Sequence, residues 1–145
     1  MRLAQRTEGT AEIEGTPQEI IEAIADFESY PEWVDGIRSS EVLERDEDGR
    51  GIRVGFEFAA MGFTASYTLA YEYGEDRVTW TTVEASGALR DLSGEYELEP
   101  LDGDTRVTYR LEVDLAVSLP GFLKRRADRT AIRTALEGLK RRVEG

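Results

Sequence analysis

The segment from Thr16 to Val34, TPQEIIEAIADFESYPEWV, constrains the fold of this chain more than any other stretch. Thr16 is a favourable N-cap, Pro17 suits the first helical position, and Glu19 has the spacing of a capping box. These residues predict a helix that begins at Pro17. Its apolar face is formed by Ile20, Ile21, Ala23, Ile24 and Phe27.

That helix is predicted to end within Asp26-Phe27-Glu28-Ser29. We expect Tyr30-Pro31 to turn the chain next, because a residue before proline is disfavoured in the helical region. A second short helical turn then carries Trp33 and ends at Gly36. Ordinary core packing of Phe27, Tyr30 and Trp33 explains this pattern as well as a role in ligand binding does.

Five later segments alternate apolar and polar residues with the period of two that is typical of strands. Turn sequences rich in Gly, Asp and Glu separate several of them, as does Met61-Gly62. Together with weaker candidates at 7–14 and 37–45, they predict a seven-stranded antiparallel sheet. The five segments are 52–58, 63–73, 78–82, 92–98 and 107–117.

The last segment predicts one long helix that starts after Pro120-Gly121. It spans roughly 23 residues, about 35 Å at the helical rise. A predicted buried stripe recurs every four residues, at Leu123, Ala127, Ala131, Ala135, Leu139 and Val143. Its small residues fit either close packing on the sheet or a helix that leaves room for a ligand.

The chain resembles the START-like, polyketide cyclase/dehydrase and lipid-transport superfamily, which includes the birch-pollen-allergen-like proteins. The resemblance rests on the Thr16–Val34 segment and on the stretches GALRDLSGEY (87–96) and GDTRVTY (103–109). It covers nearly the whole chain, so we expect one domain over residues 1–145. The resemblance implies an α+β helix-grip fold, in which a curved seven-stranded antiparallel sheet wraps around a long C-terminal helix. Two short helices follow the first strand.

Charge is distributed unevenly along the chain, whose net charge is −12. Residues 1–119 hold 27 acidic and 10 basic residues, whereas residues 120–145 hold 8 basic and 3 acidic ones. An acidic domain is a poor nucleic-acid binder, so we expect no nucleic-acid partner. We interpret the basic residues near the C-terminus as the solvated face of the last helix.

The expected cellular location rests on the lack of long apolar segments in the sequence. No apolar run approaches the roughly 20 residues of a membrane span, and residues 1–6 have no hydrophobic region typical of a signal peptide. We therefore expect a cytoplasmic protein without stable membrane insertion. Homodimer formation is left open by the sequence.

Catalytic candidates are few. The chain has no His and no Cys, which excludes Ser-His-Asp, Cys-His and His-containing metal sites, and we expect no metal and no cofactor. The alternation slips by one residue at Arg90-Asp91, which predicts a β-bulge that could re-aim a side chain. Arg90 and Asp91 are therefore candidate acid–base residues, although both also fit a solvent-exposed rim.

The function expected from the resemblance and the inward-facing rings is binding or transport of a hydrophobic small molecule, such as a lipid, isoprenoid or polyketide-like compound. A polyketide cyclase or dehydratase is the alternative, and a protein-interaction role, as in a toxin–antitoxin pair, is a further one. Each ring also fits ordinary core. The predicted ligand-binding residues are Trp33, Phe56, Phe58, Phe63, Tyr67, Leu69, Tyr71, Trp80, Tyr96, Tyr109, Leu111, Phe122, Ala127 and Ala131.

Overall fold

Seven strands and three α-helices make up the fold in the computed structural model, which describes residues 5–60 and 62–145. Predictions that involve residues 1–4, or Met61 in the turn Met61-Gly62, lie outside the described residues. A 3₁₀ turn at Phe27–Ser29 separates the first two helices. The elements are β1 (Gln5–Glu14), α1 (Pro17–Ala25), α2 (Tyr30–Trp33), β2 (Ile37–Arg45), β3 (Gly51–Ala60), β4 (Phe63–Tyr73), β5 (Arg77–Gly87), β6 (Leu89–Pro100), β7 (Asp104–Leu115) and α3 (Gly121–Glu144).

The strands form one antiparallel sheet in the order β1-β7-β6-β5-β4-β3-β2. Consecutive strands from β2 to β7 are joined by hairpins, and β1 pairs with β7, so that Gly9 lies opposite Tyr109. Register shifts interrupt the pairing of β4 with β5 and of β6 with β7. The curved sheet and its long C-terminal helix confirm the predicted helix-grip fold.

The first helix begins as predicted. The side chain of Thr16 accepts a hydrogen bond from the backbone N–H of Glu19 at 3.2 Å, and the Glu19 carboxylate accepts one from the N–H of Thr16 at the same distance. This reciprocal capping box satisfies two of the helix's free donors. It fixes the point where the chain leaves β1.

Helix α1 ends at Ala25 with its C-cap at Asp26, which confirms the predicted end within residues 26–29, but the expected non-helical conformation of Tyr30 is wrong. Tyr30 has helical backbone angles (φ −54°, ψ −40°) and opens α2, whereas the chain departs from helical geometry at Asp26 (φ −83°, ψ 66°). The Tyr30 hydroxyl donates to the carbonyl of Ile24 at 2.5 Å, and this buried bond holds Tyr30 in place. Pro31 then occupies the first turn of α2, where proline is tolerated.

The outer face of the sheet is a lattice of ion pairs across β1, β7, β6 and β5. Arg110 is central to it, because its guanidinium lies 3.3 Å from Glu95, 2.9 Å from Glu97 and 3.6 Å from Glu8. Arg77 also contacts Glu95 and Glu97. These carboxylates point away from the core.

Helix α3 lies along β1 and points in the same direction. Ile132 contacts Gly9, where an added Cβ would lie only 2.5 Å from its Cγ2. Further along, Lys140 Nζ donates to the carbonyl of Glu12 at 2.8 Å. Near the end of the helix, the Glu144 carboxylate accepts a hydrogen bond from the N–H of Glu14 at 3.0 Å.

The buried stripe of α3 differs from the predicted one. Ala135 and Leu139 are buried as expected, but Ala131 is exposed and Leu123 is 40% exposed. The larger apolar side chains of Ile132 and Leu136 face Gly9, and they turn this side of the helix toward β1. The buried residues of the helix are Asp128, Ile132, Ala135, Leu136, Gly138 and Leu139.

Candidate ligand-binding site

The inner face of the sheet carries a continuous cluster of aromatic rings. Tyr96 and Tyr109 stack with their ring centres 4.5 Å apart, and Trp80 contacts both at 5.5 and 5.8 Å. Trp80 also contacts Tyr71, whose ring lies 4.6 Å from that of Phe27. The cluster connects the four strands β4, β5, β6 and β7 with the segment between α1 and β2. Its remaining members are Tyr30, Trp33, Phe56, Tyr67 and Tyr73.

The structure brings together most of the predicted ligand-binding residues. Seven of them are buried: Phe56, Tyr67, Leu69, Tyr71, Trp80, Tyr96 and Leu111. Trp33, Phe58, Tyr109 and Ala127 are half-buried. Phe63 is 36% and Phe122 64% exposed, and Ala131 is exposed too.

The hydroxyl and indole N–H groups of the inner rings differ in whether they have a protein partner. The hydroxyl of Tyr30 donates to Ile24, and that of Tyr73 donates to the carbonyl of Gly51 at 2.6 Å. Five other polar tips make no hydrogen bond with the described residues, and each of them remains reachable by water. They are the hydroxyls of Tyr67, Tyr71, Tyr96 and Tyr109 and the indole N–H of Trp80.

We interpret these five groups as bordering open space on the inner face of the sheet. Buried Tyr and Trp side chains normally find a hydrogen-bond partner, because an unsatisfied polar group costs free energy. Here the partner has to be water or a bound molecule in the space that the hydroxyls border. We refer to this space, lined by the five polar tips, as the inner cavity.

Burial raises the pKa of the inner tyrosines. The pKa of Tyr71 and Tyr96 lies well above the ordinary value, mainly because of desolvation and further because of neighbouring phenols. Desolvation also raises the pKa of Tyr67 and Tyr109. Each phenol therefore stays protonated at neutral pH and can donate a hydrogen bond.

Several strand ends meet at one end of the sheet. The start of β4, the β5–β6 turn and the end of β7 meet there, since Ala88 N donates to Thr64 O at 2.9 Å and Ala116 N donates to Ala88 O at 2.8 Å. Helix α3 also starts from this end, which we call the Gly87 end. Three large apolar side chains are exposed near it: Phe63, Phe122 and Leu123.

The bulge predicted at Arg90-Asp91 is confirmed by a register shift between Leu89 and Asp91. Arg90 is exposed and makes no ion pair within the described part of the chain. Asp91 alternates with the inward-facing Leu92 and accepts a 3.4 Å hydrogen bond from Ser93. The pair therefore does not reach the inner phenols.

An ion pair between Lys124 and Asp128 was missed by sequence reasoning. Lys124 Nζ lies 2.7 Å from Asp128 Oδ2, and the two side chains are only 14% and 8% exposed. The spacing along the helix could have predicted that Asp128 is buried, because it lies four residues before the buried Ile132 on the same face of α3. We had assigned the basic residues of this helix to its solvated face.

Two further pockets lie elsewhere. One of about 220 Å³ is formed by α2 and the start of β2, around Trp33 and Ile37. The indole N–H of Trp33 is sealed from water and has no partner among the described residues. The other, of about 300 Å³, lies between Asp76, Leu98 and Arg106.

Within residues 5–60 and 62–145, no cluster of three or more His, Cys, Asp or Glu side chains could hold a metal ion. In the same part of the chain, no helix is both long and apolar enough to cross a membrane.

A family model described as polyketide cyclase/dehydrase and lipid transport matches residues 4–144. The chain belongs to that family. A comparison with curated protein sequences gave no match.

Solved structures show the same fold at low sequence identity. A START superfamily protein from Mycobacterium smegmatis is 20% identical, with a TM-score of 0.84 over 96% of this chain and 97% of that one. The Zhui aromatase/cyclase from Streptomyces sp. R1128 is 14% identical, with a TM-score of 0.79 over 98% and 94%. A STAR-related lipid transfer protein from Xanthomonas axonopodis is 15% identical, with a TM-score of 0.77 over 97% and 86%.

Proposed function

We propose that this chain binds a hydrophobic small molecule, such as a lipid, isoprenoid or polyketide-like compound, in the inner cavity between the sheet and α3. The observation that carries the proposal is the group of inner polar tips that have no protein partner. A solid core would leave these groups unsatisfied at a cost of about 1–3 kcal/mol each. A ligand or water in the cavity removes that cost.

The walls favour an apolar ligand. Trp80, Tyr96 and Tyr109 present ring faces, and Leu69 and Leu111 add aliphatic surface. Burying apolar ligand surface contributes about 25 cal/mol per Å² before the costs of association are subtracted. A few polar groups in a mainly apolar wall then orient the ligand.

The chemistry of the cavity favours binding over turnover. Its phenols have raised pKa values, so they donate hydrogen bonds and do not serve as bases at neutral pH. Asp91 alternates with the inward-facing Leu92 and does not reach them. A general base needs hydrogen-bond reach of the proton that it abstracts.

A cyclase or dehydratase is the second candidate, and the grouped phenols are the observation that favours it. Four protonated hydroxyls could donate to the carbonyl oxygens of a polyketide-like chain and bias its folding. Turnover of such a compound, lost in Tyr96→Phe or Tyr109→Phe while binding is retained, would establish this function in place of the carrier.

Native mass spectrometry of the freshly purified protein tests the proposal. We expect a retained small molecule, or uptake of the neutral dye N-phenyl-1-naphthylamine with enhanced fluorescence. Tyr109→Phe should bind the dye nearly as well as the wild type, whereas Tyr109→Ala should bind it much more weakly because ring contact is lost. Absence of both a retained molecule and dye uptake would contradict the proposal.

Tyr73 provides the matched control. It is a tyrosine of the same aromatic cluster and is half-buried like Tyr109, but its hydroxyl is already bonded to Gly51. Tyr73→Ala should therefore leave dye affinity close to that of the wild type. If Tyr73→Ala and Tyr109→Ala weaken binding equally, the effect reflects general loss of stability, and the dye does not report on the inner cavity.

A further inference from the structure

The ion pair of Lys124 and Asp128 lies on the inner side of α3, where the sequence of the helix is otherwise apolar. Asp128 is the one charged residue that is buried among those the structure describes. Lys124 Nζ makes no hydrogen bond other than the one to Asp128 in the same part of the chain. Since an ammonium group has three donors, two remain available.

The position of this pair along the sheet follows from the packing of α3 alongside β1. Ile132 packs on Gly9, Lys140 reaches Glu12, and the helix and the strand advance in the same direction. Four helical residues and two strand residues each advance about 6 Å. Asp128 is therefore level with Thr7, and Lys124 lies about one turn closer to the Gly87 end.

The apolar wall continues opposite the pair. Thr7 is paired with Leu111, which faces the interior two residues beyond Tyr109. Val113 is paired with Leu92 on the same inner face, closer to the Gly87 end. Lys124 is thus closer to the Gly87 end than the aromatic rings of Tyr96 and Tyr109 are.

Local energetics do not explain why the pair is there. A cation in the first turn of a helix opposes the helix dipole, and α3 has no acidic residue in that turn. A basic residue placed four residues before an acidic one is the less favourable order for a helical ion pair. Removing both charges from water adds a desolvation cost of several kcal/mol.

The surroundings of the pair favour an anion. Residues 120–129 hold four basic residues and one acidic residue, in a chain whose net charge is −12. Arg125 folds back toward the start of α3, where its Nη1 would lie 3.2 Å from a Cβ added at Gly121. The preceding Pro120 supplies no side-chain cap, so the positive end of the helix dipole is left uncompensated.

We propose that Lys124 binds the carboxylate of an amphipathic ligand whose apolar part lies among the rings of the inner cavity. Asp128 is a positioning residue that holds the ammonium group charged and directed. This inference rests on the proposed function and narrows its ligand class to hydrophobic acids. A carboxylate accepting a hydrogen bond from an ammonium group forms one of the stronger contacts available in a protein.

Competition against N-phenyl-1-naphthylamine tests the proposal with three probes of equal chain length: dodecanoic acid, dodecan-1-ol and dodecylamine. At about pH 8 the acid is ionised and the amine is charged. We expect the wild type to bind the acid about tenfold to a hundredfold more tightly than the alcohol, the range typical of one charge-assisted hydrogen bond. The amine should bind more weakly than the alcohol.

The decisive variant replaces the pair as a whole, Lys124→Met with Asp128→Leu. Exchanging a buried ion pair for apolar residues of similar size is often neutral for stability, so this protein should fold. It should bind dodecan-1-ol as the wild type does and lose the preference for the acid. Lys124→Arg should keep that preference, and so should the control Arg133→Met, which removes an exposed cation of α3.

The outcomes separate the two proposals. If none of the probes displaces the dye or binds, the cavity does not take hydrophobic ligands and both proposals fail. If dodecan-1-ol binds while the acid has no advantage, or the advantage persists in the double variant, the carboxylate site is overturned and the proposed function stands. If the protein prefers dodecylamine, the proposal is overturned, because Asp128 would then bind a cationic ligand in place of Lys124 binding a carboxylate.

Discussion

The two halves of α3 differ in how they meet the rest of the protein. In the C-terminal half, Leu139 is fully buried, Gly138 lies against Trp33, and Lys140 bonds to the backbone of β1. In the N-terminal half, Phe122 and Leu123 are largely exposed. Before Ile132, its inner side holds the ion pair of Lys124 and Asp128, with the small Ala127 beside them.

This difference assigns separate tasks to the two halves. The C-terminal half anchors the helix to β1 and to the segment around Trp33, where a Cβ at Gly138 would come within 2.9 Å of the Trp33 carbonyl oxygen. The N-terminal half borders the Gly87 end and contributes charge rather than packing. One continuous helix thereby stabilises the fold and, in the function that we propose, forms part of the wall of the ligand site.

The largest effect is expected from shortening leucines in the two halves. Leu139→Ala should lower the free energy of unfolding by about 2–5 kcal/mol, because it leaves a cavity at a fully buried position. Leu123→Ala, at a position that is 40% exposed, should cost less than about 1 kcal/mol. Denaturant unfolding monitored by circular dichroism measures both. Similar losses would show that the halves are not distinct.

Enlarging alanines should give the next largest effect. Ala135→Leu adds volume at a buried position of the anchoring half and should cost about 1–3 kcal/mol. Ala131→Leu, one turn earlier and exposed, should change the free energy of unfolding by no more than about 0.5 kcal/mol. The same unfolding experiment applies. A large loss in Ala131→Leu would place that residue in the packed core after all.

How far the sequence predicted the fold can be seen in the same helix. Its limits were predicted closely, and so were the capping box of α1, the number of strands and the bulge near Arg90, because each depends on local chemistry or on a simple period. Strands β5 and β6 are longer than the predicted segments 78–82 and 92–98. The buried stripe of α3 was misplaced. Alanines recur with the same period as Ile132 and Leu136, and only contact with Gly9 decides which set turns inward.

The candidate site was predictable as a set of rings but not as an arrangement. Alternation placed Tyr67, Tyr96 and Tyr109 on the inner face, yet which hydroxyls find a partner depends on the register of distant strands. The helical conformation of Tyr30 depends on a bond to Ile24 that overrides the preference set by Pro31. Lys124 was missed because charged residues on a helix are normally solvated.

A smaller effect concerns the pH dependence of stability, because the pKa values of the inner tyrosines differ between the folded and the unfolded protein. Their pKa values are raised in the folded protein, so above about pH 10 the unfolded state has released protons that the native state retains. The contribution of these phenols to the free energy of unfolding is therefore fully present below about pH 10 and is lost as the pH rises further. Each such tyrosine contributes at most about 1.4 kcal/mol per pH unit.

Chemical denaturation at a series of alkaline pH values measures this slope. Tyr71→Phe should make the fall in stability with pH shallower than in the wild type. The control Ser86→Ala changes an exposed hydroxyl on β5 and should leave the slope unchanged. An unchanged slope in Tyr71→Phe would mean that this phenol titrates alike in both states, contrary to its burial.

The inner cavity can be tested directly because the chain contains two tryptophans, Trp33 and Trp80. Their indole N–H groups give two signals in a ¹H–¹⁵N correlation spectrum, which the variant Trp33→Phe assigns. On addition of dodecan-1-ol we predict that the Trp80 signal shifts strongly, since its N–H borders the cavity, while the sealed N–H of Trp33 shifts little. A shift of Trp33 alone, or of neither signal at saturating ligand, would contradict a binding cavity between the sheet and α3.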